Sequence, residues 1–127
     1  MNGSYITTLL CRLFLAALTT SVILIPYAGH RGGIVTVYIF RGTAHMPYAM
    51  NFHPSFVRVF IGVNETVRWV NLDDHYHTVT AINGKFDSEG LKMYMQYVYR
   101  FSTRGMYRYV CMPHPWMQGV VEVLNRV

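Results

Sequence analysis

Charged residues are scarce in this chain. They make up 13% of its 127 residues, and lysine and arginine form no run anywhere. The formal net charge is a modest +5, so the composition excludes the dense basic face of a nucleic-acid-binding protein. Mild basicity instead favours electrostatic steering toward an acidic partner or surface. Internal repeats and low-complexity segments are also absent from the sequence.

Cysteine is nearly absent, since the chain has only Cys11 and Cys111. Cys11 lies in an apolar N-terminal stretch, and we expect a membrane or a cleavage event to separate it from Cys111. A disulfide between the two is therefore not expected. The remainder of the chain then carries one lone thiol.

The long apolar run of this chain lies near the N-terminus, where residues 13–25 carry no charge. A run of this length suits the hydrophobic region of a signal peptide, whereas residues 5–28 together are long enough to span a bilayer with Arg12 snorkelling. Both alternatives predict export to the periplasmic or extracellular face of a membrane. We expect residues 1–28 to be a signal peptide or a membrane anchor and residues 29–33 to be a linker.

Convincing amphipathic helices are missing from residues 34–127, which show strand after strand instead. Val, Tyr and Ile are concentrated in seven stretches that we expect to be strands. They are Ile34–Phe40, Phe56–Ile61, Thr66–Asn71, His77–Ile82, Tyr97–Phe101, Met106–Cys111 and Val120–Leu124. Seven strands at this spacing predict an all-β sandwich, with Trp69 in its core and with a loop or short helical turn at residues 87–96.

The richest chemistry lies in seven residues near the C-terminal end, Cys111-Met112-Pro113-His114-Pro115-Trp116-Met117. They offer a thiolate, an imidazole and a thioether at the spacing C-x2-H-x2-M. A second imidazole, that of His77, opens the predicted strand HTVTAI, and His75 is the alternative two residues before it. Because strand ends cluster at one pole of a sandwich, we expect His77 to meet the loop.

Two imidazoles, one thiolate and a weak axial thioether are the ligand set of a blue-copper electron-transfer site. We therefore expect His77, Cys111 and His114 in one plane around a single type 1 copper ion. Met117 is expected on the axis. Both Cu(I) and Cu(II) accept such a set, so an ion that cycles between them moves little.

Two prolines flank His114 and rigidify the loop, because each fixes its own φ angle. Pro113 also lacks an N–H group, so it cannot donate a hydrogen bond to the Cys111 sulfur. We expect the N–H of Thr78 to be the main donor to that sulfur. The sequence then predicts a moderate reduction potential.

These segments resemble the small blue copper proteins, or cupredoxins, of the plastocyanin and amicyanin type. The resemblance runs from residue 51 to residue 124 through NFHPSFV (51–57), GVNETVRWVN (62–71), DDHYHTVT (73–80), FDS (86–88) and YVCMPHPWMQGVVEV (109–123). Amicyanins likewise place proline on either side of the second histidine. The chain departs from them at Met112 and at Trp116, where phenylalanine is usual. The resemblance implies an eight-stranded Greek-key sandwich, one copper ion and electron shuttling outside the cytoplasm.

Three functions compete for such a site. A copper chaperone or buffer is the alternative to the electron carrier, and a copper enzyme needs further histidine ligands that this domain lacks. A dinuclear copper centre needs two cysteines in the loop. We therefore expect a monomeric, non-enzymatic electron carrier with redox protein partners and no nucleic acid. Trp116 is expected either in an apolar docking patch beside His114 or in packing of the loop.

Overall fold

The computed structural model describes residues 32–127 of the chain. Over this range the chain consists of strands joined by loops and by one short 3-10 helix, Thr43–His45. The predicted signal or anchor at residues 1–28 lies outside the described residues, as does the linker up to residue 31. Within residues 32–127 no helix has the length and apolar character needed to cross a bilayer.

Eight strands build the domain, and most of them follow the alternation of Val, Tyr and Ile with polar residues. Their bounds are β1 Ile34–Ile39, β2 Phe52–His53, β3 Phe56–Ile61, β4 Thr66–Asn71, β5 Thr80–Ala81, β6 Gln96–Arg100, β7 Gly105–Val110 and β8 Gln118–Asn125. The family resemblance implied eight strands, and the structure has eight.

The strands form two four-stranded sheets with the orders β2-β1-β4-β6 and β3-β8-β7-β5. Two pairs are parallel, β1 with β4 and β3 with β8, and the remaining pairs are antiparallel. Because neighbouring strands are mostly remote in sequence, the chain crosses repeatedly between the sheets. The predicted all-β Greek-key sandwich is thereby confirmed.

The predicted bounds of β1, β6, β7 and β8 differ from the structure by one or two residues, and the predicted strand list differs more substantially in two places. β2 was not predicted, because a strand of two residues is too short to show alternation. The strand expected from His77 to Ile82 is regular only at Thr80–Ala81. His77 itself lies outside the strand, in an isolated antiparallel bridge with Leu91. The irregular stretch expected after residue 86 holds no strand or helix until β6 begins.

The inward residues of both sheets form one apolar core. β4 shows the alternation plainly, since Val67, Trp69 and Asn71 are buried and the residues between them are partly exposed. Trp69 has no exposed surface and packs edge-on against Tyr109 of the facing sheet, with ring centroids 5.5 Å apart. This aromatic contact joins the two sheets across the core.

The two ends of the sandwich carry different loops. We call one end the ligand pole, because β1, β4 and β7 all finish there; it consists of residues 40–46, 72–78 and 111–118. We call the other end the opposite pole; it consists of residues 32–34, 62–66, 100–105 and 124–127. The N–H of Gly33 donates to the carbonyl of Val63 over 2.8 Å, which fixes the start of β1 at the opposite pole.

An ion pair lies at the opposite pole. Glu65 Oε1 accepts hydrogen bonds from Nε and Nη2 of Arg100 over 2.9 and 2.7 Å, and Oε2 accepts one from the N–H of Gly62. The hydrogen bond from Arg100 lowers the pKa of Glu65 below its ordinary value, although burial opposes that shift.

This ion pair predicts an acid-sensitive part of the folding stability. A lowered carboxyl pKa contributes stability that is present above the unfolded pKa of about 4.3 and is lost as the pH falls through the folded value. We expect Glu65→Gln to be less stable at neutral pH and to lose less stability on acidification. Urea unfolding at a series of pH values measures both effects, with Glu122→Gln as the control. An acid dependence as steep as that of the parent would contradict the assignment.

Candidate metal centre

Three of the four predicted ligand residues converge at the ligand pole. Cys111 Sγ lies 3.6 Å from Nδ1 of His77 and 3.5 Å from Nδ1 of His114. The three atoms all lie within 4.8 Å of one another. Cys111 and His77 have no exposed surface, whereas His114 is partly exposed. The group therefore has a buried interior side and one imidazole at the surface.

The spacing of these atoms fits a first-row metal ion. Bonds of about 2.3 Å to sulfur and about 2.0 Å to nitrogen, at angles from tetrahedral to trigonal, separate the two donor atoms by about 3.5 to 3.7 Å. Both observed separations, 3.5 and 3.6 Å, lie in this range. A thiolate with two imidazoles also suits copper, which accepts soft sulfur and nitrogen donors.

The loop from Cys111 to Met117 closes on itself through its backbone. The N–H of Cys111 donates to the carbonyl of Met117 over 3.1 Å, and the N–H of Met117 donates to the carbonyl of His114 over 2.9 Å. The N–H of His114 donates to the carbonyl of Cys111 over 3.2 Å. Met117 has no exposed surface and leads directly into β8. The fourth predicted ligand is thus a buried residue within the same closed loop.

A buried carboxylate orients His77. Asp73 Oδ2 lies 2.8 Å from Nε2 of His77, and neither side chain is exposed. Asp73 also accepts hydrogen bonds from the N–H groups of Gly42 and Ala44, over 2.9 and 3.1 Å. The contact assigns the imidazole proton to Nε2, so the lone pair of Nδ1 faces the Cys111 sulfur. The sequence reasoning did not single out Asp73.

The ionisation of these groups follows from burial and hydrogen bonding. Burial favours a raised pKa for Asp73, but hydrogen bonds from Gly42, His77 and Ala44 outweigh it and lower the pKa well below its usual range. Burial lowers the pKa of His77, against the opposing effect of Asp73. Burial lowers the pKa of His114 as well, so both imidazoles of the group are biased toward the neutral form that a metal ligand requires.

The thiol of Cys111 has the opposite tendency. Burial raises its pKa, and the N–H of Thr78 partly offsets that effect. This N–H donates to the sulfur over 3.3 Å, as the sequence predicted. The hydroxyl of Thr78 accepts a hydrogen bond from the N–H of Met112 over 2.9 Å, which ties the two segments together. A bound cation supplies the positive charge that favours the thiolate.

Asn71 anchors the segment that carries His77. Its side-chain Nδ2 donates to the carbonyls of His75 and Leu91 over 2.8 and 2.9 Å, and its Oδ1 accepts from the N–H of Asp73 over 2.9 Å. The sequence did offer a signal here, because Asn71 occupies an inward position of β4 that an apolar residue normally fills.

Histidines outside this group lie at the surface. His75, the alternative to His77, is exposed and has Nδ1 2.8 Å from Asp74 Oδ1. Its ring packs edge-on against that of His45, with centroids 4.4 Å apart. His53 is exposed as well. The structure thus brings His77, and not His75, beside the Cys111 thiol, while His30 lies outside the described residues.

Trp116 packs within the loop and also lies beside His114. It is half-buried and packs against the core, and its ring centroid lies 5.2 Å from that of His114. Met112, in the same loop, is 63% exposed. An apolar surface therefore adjoins the one imidazole of the group that reaches solvent.

Known proteins resemble this chain in sequence and in fold. The profile of the copper-binding proteins of the plastocyanin/azurin family matches residues 42–124, more than half of the chain. Amicyanin from Paracoccus denitrificans is 35% identical over 68 residues, which cover 50% of this chain and 52% of that protein. Amicyanin-alpha from Methylorubrum extorquens is 35% identical over 79 residues, which cover 58% of this chain and 65% of the relative. The chain thus spans between half and two thirds of these relatives.

The fold has a solved counterpart. A purple cupredoxin from Nitrosopumilus maritimus superimposes with a TM-score of 0.62 at 29% identity, and the match covers 70% of this chain and 98% of that one. The family profile begins at residue 42 and so includes the turn whose N–H groups bind Asp73.

Proposed function

Because the chain belongs to the plastocyanin/azurin family of copper-binding proteins, we propose that it is a one-electron carrier with a single type 1 copper ion. The observation that carries the proposal is the convergence of one sulfur and two imidazole nitrogens within 4.8 Å of one another. Bound copper supplies a couple between Cu(I) and Cu(II). The protein must hold the ion, exclude water from it and present it to a partner.

The ligand assignment follows the geometry. Nδ1 of His77, Sγ of Cys111, Nδ1 of His114 and the Met117 thioether are the groups that would hold the ion. Asp73 holds the first imidazole in place, and burial of the thiol excludes water from the sulfur. Such a preorganised set rearranges little between oxidation states, which favours rapid electron transfer.

Electrons pass through His114, because its imidazole is the donor group that reaches the surface. Redox protein partners dock over the adjoining apolar surface of Trp116 and Met112, in the small, weak interface that suits transient electron transfer. We propose that the protein is an exported monomer, at the periplasmic or extracellular face of a membrane. Residues 1–28 are its signal or anchor, residues 29–33 its linker and residues 34–127 its copper domain.

Optical and EPR spectra of the copper-loaded protein, followed by a reversible redox titration, test this function. The electron carrier predicts an intense thiolate-to-copper band in the Cu(II) form that disappears and returns over repeated reduction and oxidation. A colourless protein that binds only Cu(I) and hands it to another protein would overturn the proposal in favour of a copper chaperone.

Pro113 offers a test of the sulfur environment. Pro113→Ala restores an N–H two residues after Cys111, and a hydrogen bond to the thiolate favours the electron-rich reduced site. A bond of about 1 kcal/mol corresponds to a rise in potential on the order of 40 mV. Protein-film voltammetry measures the shift, and Pro115→Ala is the matched control in the same loop. A potential that stays the same or falls in Pro113→Ala would contradict this account.

A further inference from the structure

Positive charge gathers at the opposite pole, away from the candidate copper site. Arg104 and Arg126 are exposed there, and Lys85 lines a surface hollow with Phe101 and Thr103 at its edge. The acidic residue among the described residues of this pole is Glu65, and Arg100 already binds it. Three cations at or beside the pole therefore have no acidic partner within hydrogen-bonding distance among the described residues.

The ligand pole has the reverse balance. Its three loops hold two carboxylates, those of Asp73 and Asp74, and one guanidinium, that of Arg41, which lies 3.4 Å from Asp74. The adjoining segment, which is bridged to His77 through Leu91, adds one acid and one base, Glu89 and Lys92. The net positive charge of the chain is thus not displayed around His114. Electrostatic attraction to an acidic surface is therefore stronger at the opposite pole than at the ligand pole.

The covalent chain limits how far the opposite pole can lie from the apolar N-terminal segment. That segment ends at Ala28, and five residues of extended chain reach at most about 18 Å to Gly33. Gly33 is held at the opposite pole by its hydrogen bond to Val63. β1 then runs the length of the domain, roughly 20 Å for its six residues, to the ligand pole.

We propose that the opposite pole is a membrane-facing surface that binds anionic lipid headgroups through Lys85, Arg104 and Arg126. This inference rests on the proposed export of the protein and takes residues 5–28 as an uncleaved anchor. Basic residues next to a membrane anchor are attracted to anionic headgroups, and the short tether keeps them within reach. The ligand pole then faces the aqueous phase, so the redox partner is a water-exposed protein domain rather than a lipid-embedded carrier.

Paramagnetic relaxation in lipid nanodiscs tests the orientation. The probe is the full chain in the diamagnetic Cu(I) form, in discs of anionic lipid that include a lipid with a gadolinium-chelating headgroup. We expect the amides of residues 101–105 to relax more than about tenfold faster than those of Met112, His114 and Trp116. The relaxation enhancement falls with the sixth power of the distance between the amide and the gadolinium ion, and the poles are roughly 20 Å apart.

A matched pair of variants isolates the role of charge. The double variant Arg104→Gln with Arg126→Gln is expected to reduce, several-fold, the ratio of relaxation at the opposite pole to relaxation at the ligand pole. The control variant Lys92→Gln with Arg108→Gln removes the same charge elsewhere and is expected to leave this ratio unchanged. Equal relaxation at the two poles would overturn the proposal and favour an acidic protein as the occupant of the opposite pole. Stronger relaxation at the ligand pole, or recovery of a chain that is cleaved after residue 28, would overturn it too.

The optical spectrum of the same sample separates this inference from the proposed function. After oxidation, an intact thiolate-to-copper band together with the wrong orientation would defeat only the membrane-facing assignment. Loss of that band would defeat the electron carrier, whichever pole faces the lipid.

Discussion

Replacing Cys111 with serine is expected to abolish the thiolate-to-copper absorption and to lower copper affinity more than about 100-fold. The sulfur lies 3.5 and 3.6 Å from the two imidazole Nδ1 atoms, so it is central to the group. A serine hydroxyl is hard and remains protonated, so it cannot replace a soft anionic donor. The two side chains are similar in size, and we expect the sandwich to remain folded.

Titration with a copper-binding competitor and an optical spectrum measure this effect, and circular dichroism reports the fold. Cys11→Ser is the matched control, because it makes the same chemical change at the chain's other cysteine, outside the candidate site. We expect its spectrum to equal that of the parent. A Cys111→Ser protein that keeps the absorption band would rule out the ligand assignment.

Asp73→Asn is expected to destabilise the copper-free protein by about 3 kcal/mol or more and to weaken copper binding by about 10- to 100-fold. The carboxylate accepts hydrogen bonds from Gly42, Ala44 and His77, and it is completely buried. An amide has one oxygen and an NH2 group in place of two acceptor oxygens. At least one buried donor then faces another donor, and His77 loses its orienting charge.

Asp74→Asn is the matched control for this change. Asp74 is the next residue, but its side chain is 46% exposed and its partner Arg41 is 75% exposed. Exposed ion pairs contribute about 1 kcal/mol or less, so this variant should lose little stability. Urea unfolding without copper and a competitive copper titration measure the two variants together. If Asp73→Asn lost no more stability than Asp74→Asn, the orienting role of Asp73 would be wrong.

Much of the fold could be predicted from local pattern. Alternation of apolar and polar residues depends on neighbours two positions apart, so β3 and β4 were predicted with the bounds that the structure has. The spacing in C-x2-H-x2-M is equally local, because a loop of seven residues has little freedom to separate its ends. That Cys111 and His114 lie together therefore followed from the sequence.

Other features required the packed chain. Strand pairing aligns segments more than 30 residues apart, and this alignment decides whether His75 or His77 contacts Cys111. The local pattern HTVTAI could not show that His77 lies outside the strand. The partners of Asp73 come from a turn about 30 residues earlier in the chain.

The distribution of charge also emerged only on folding. A net charge of +5 is a property of composition, and it predicted steering toward an acidic partner or surface without locating the attraction on the fold. The structure places Arg104 and Arg126, which have no acidic partner among residues 32–127, at the end remote from Cys111. Composition and local spacing thus determined the fold class and the chemistry of the donors. Contacts between remote segments decide which donors meet, which carboxylate orients them and which way the charged surface faces. Only the folded chain forms these contacts.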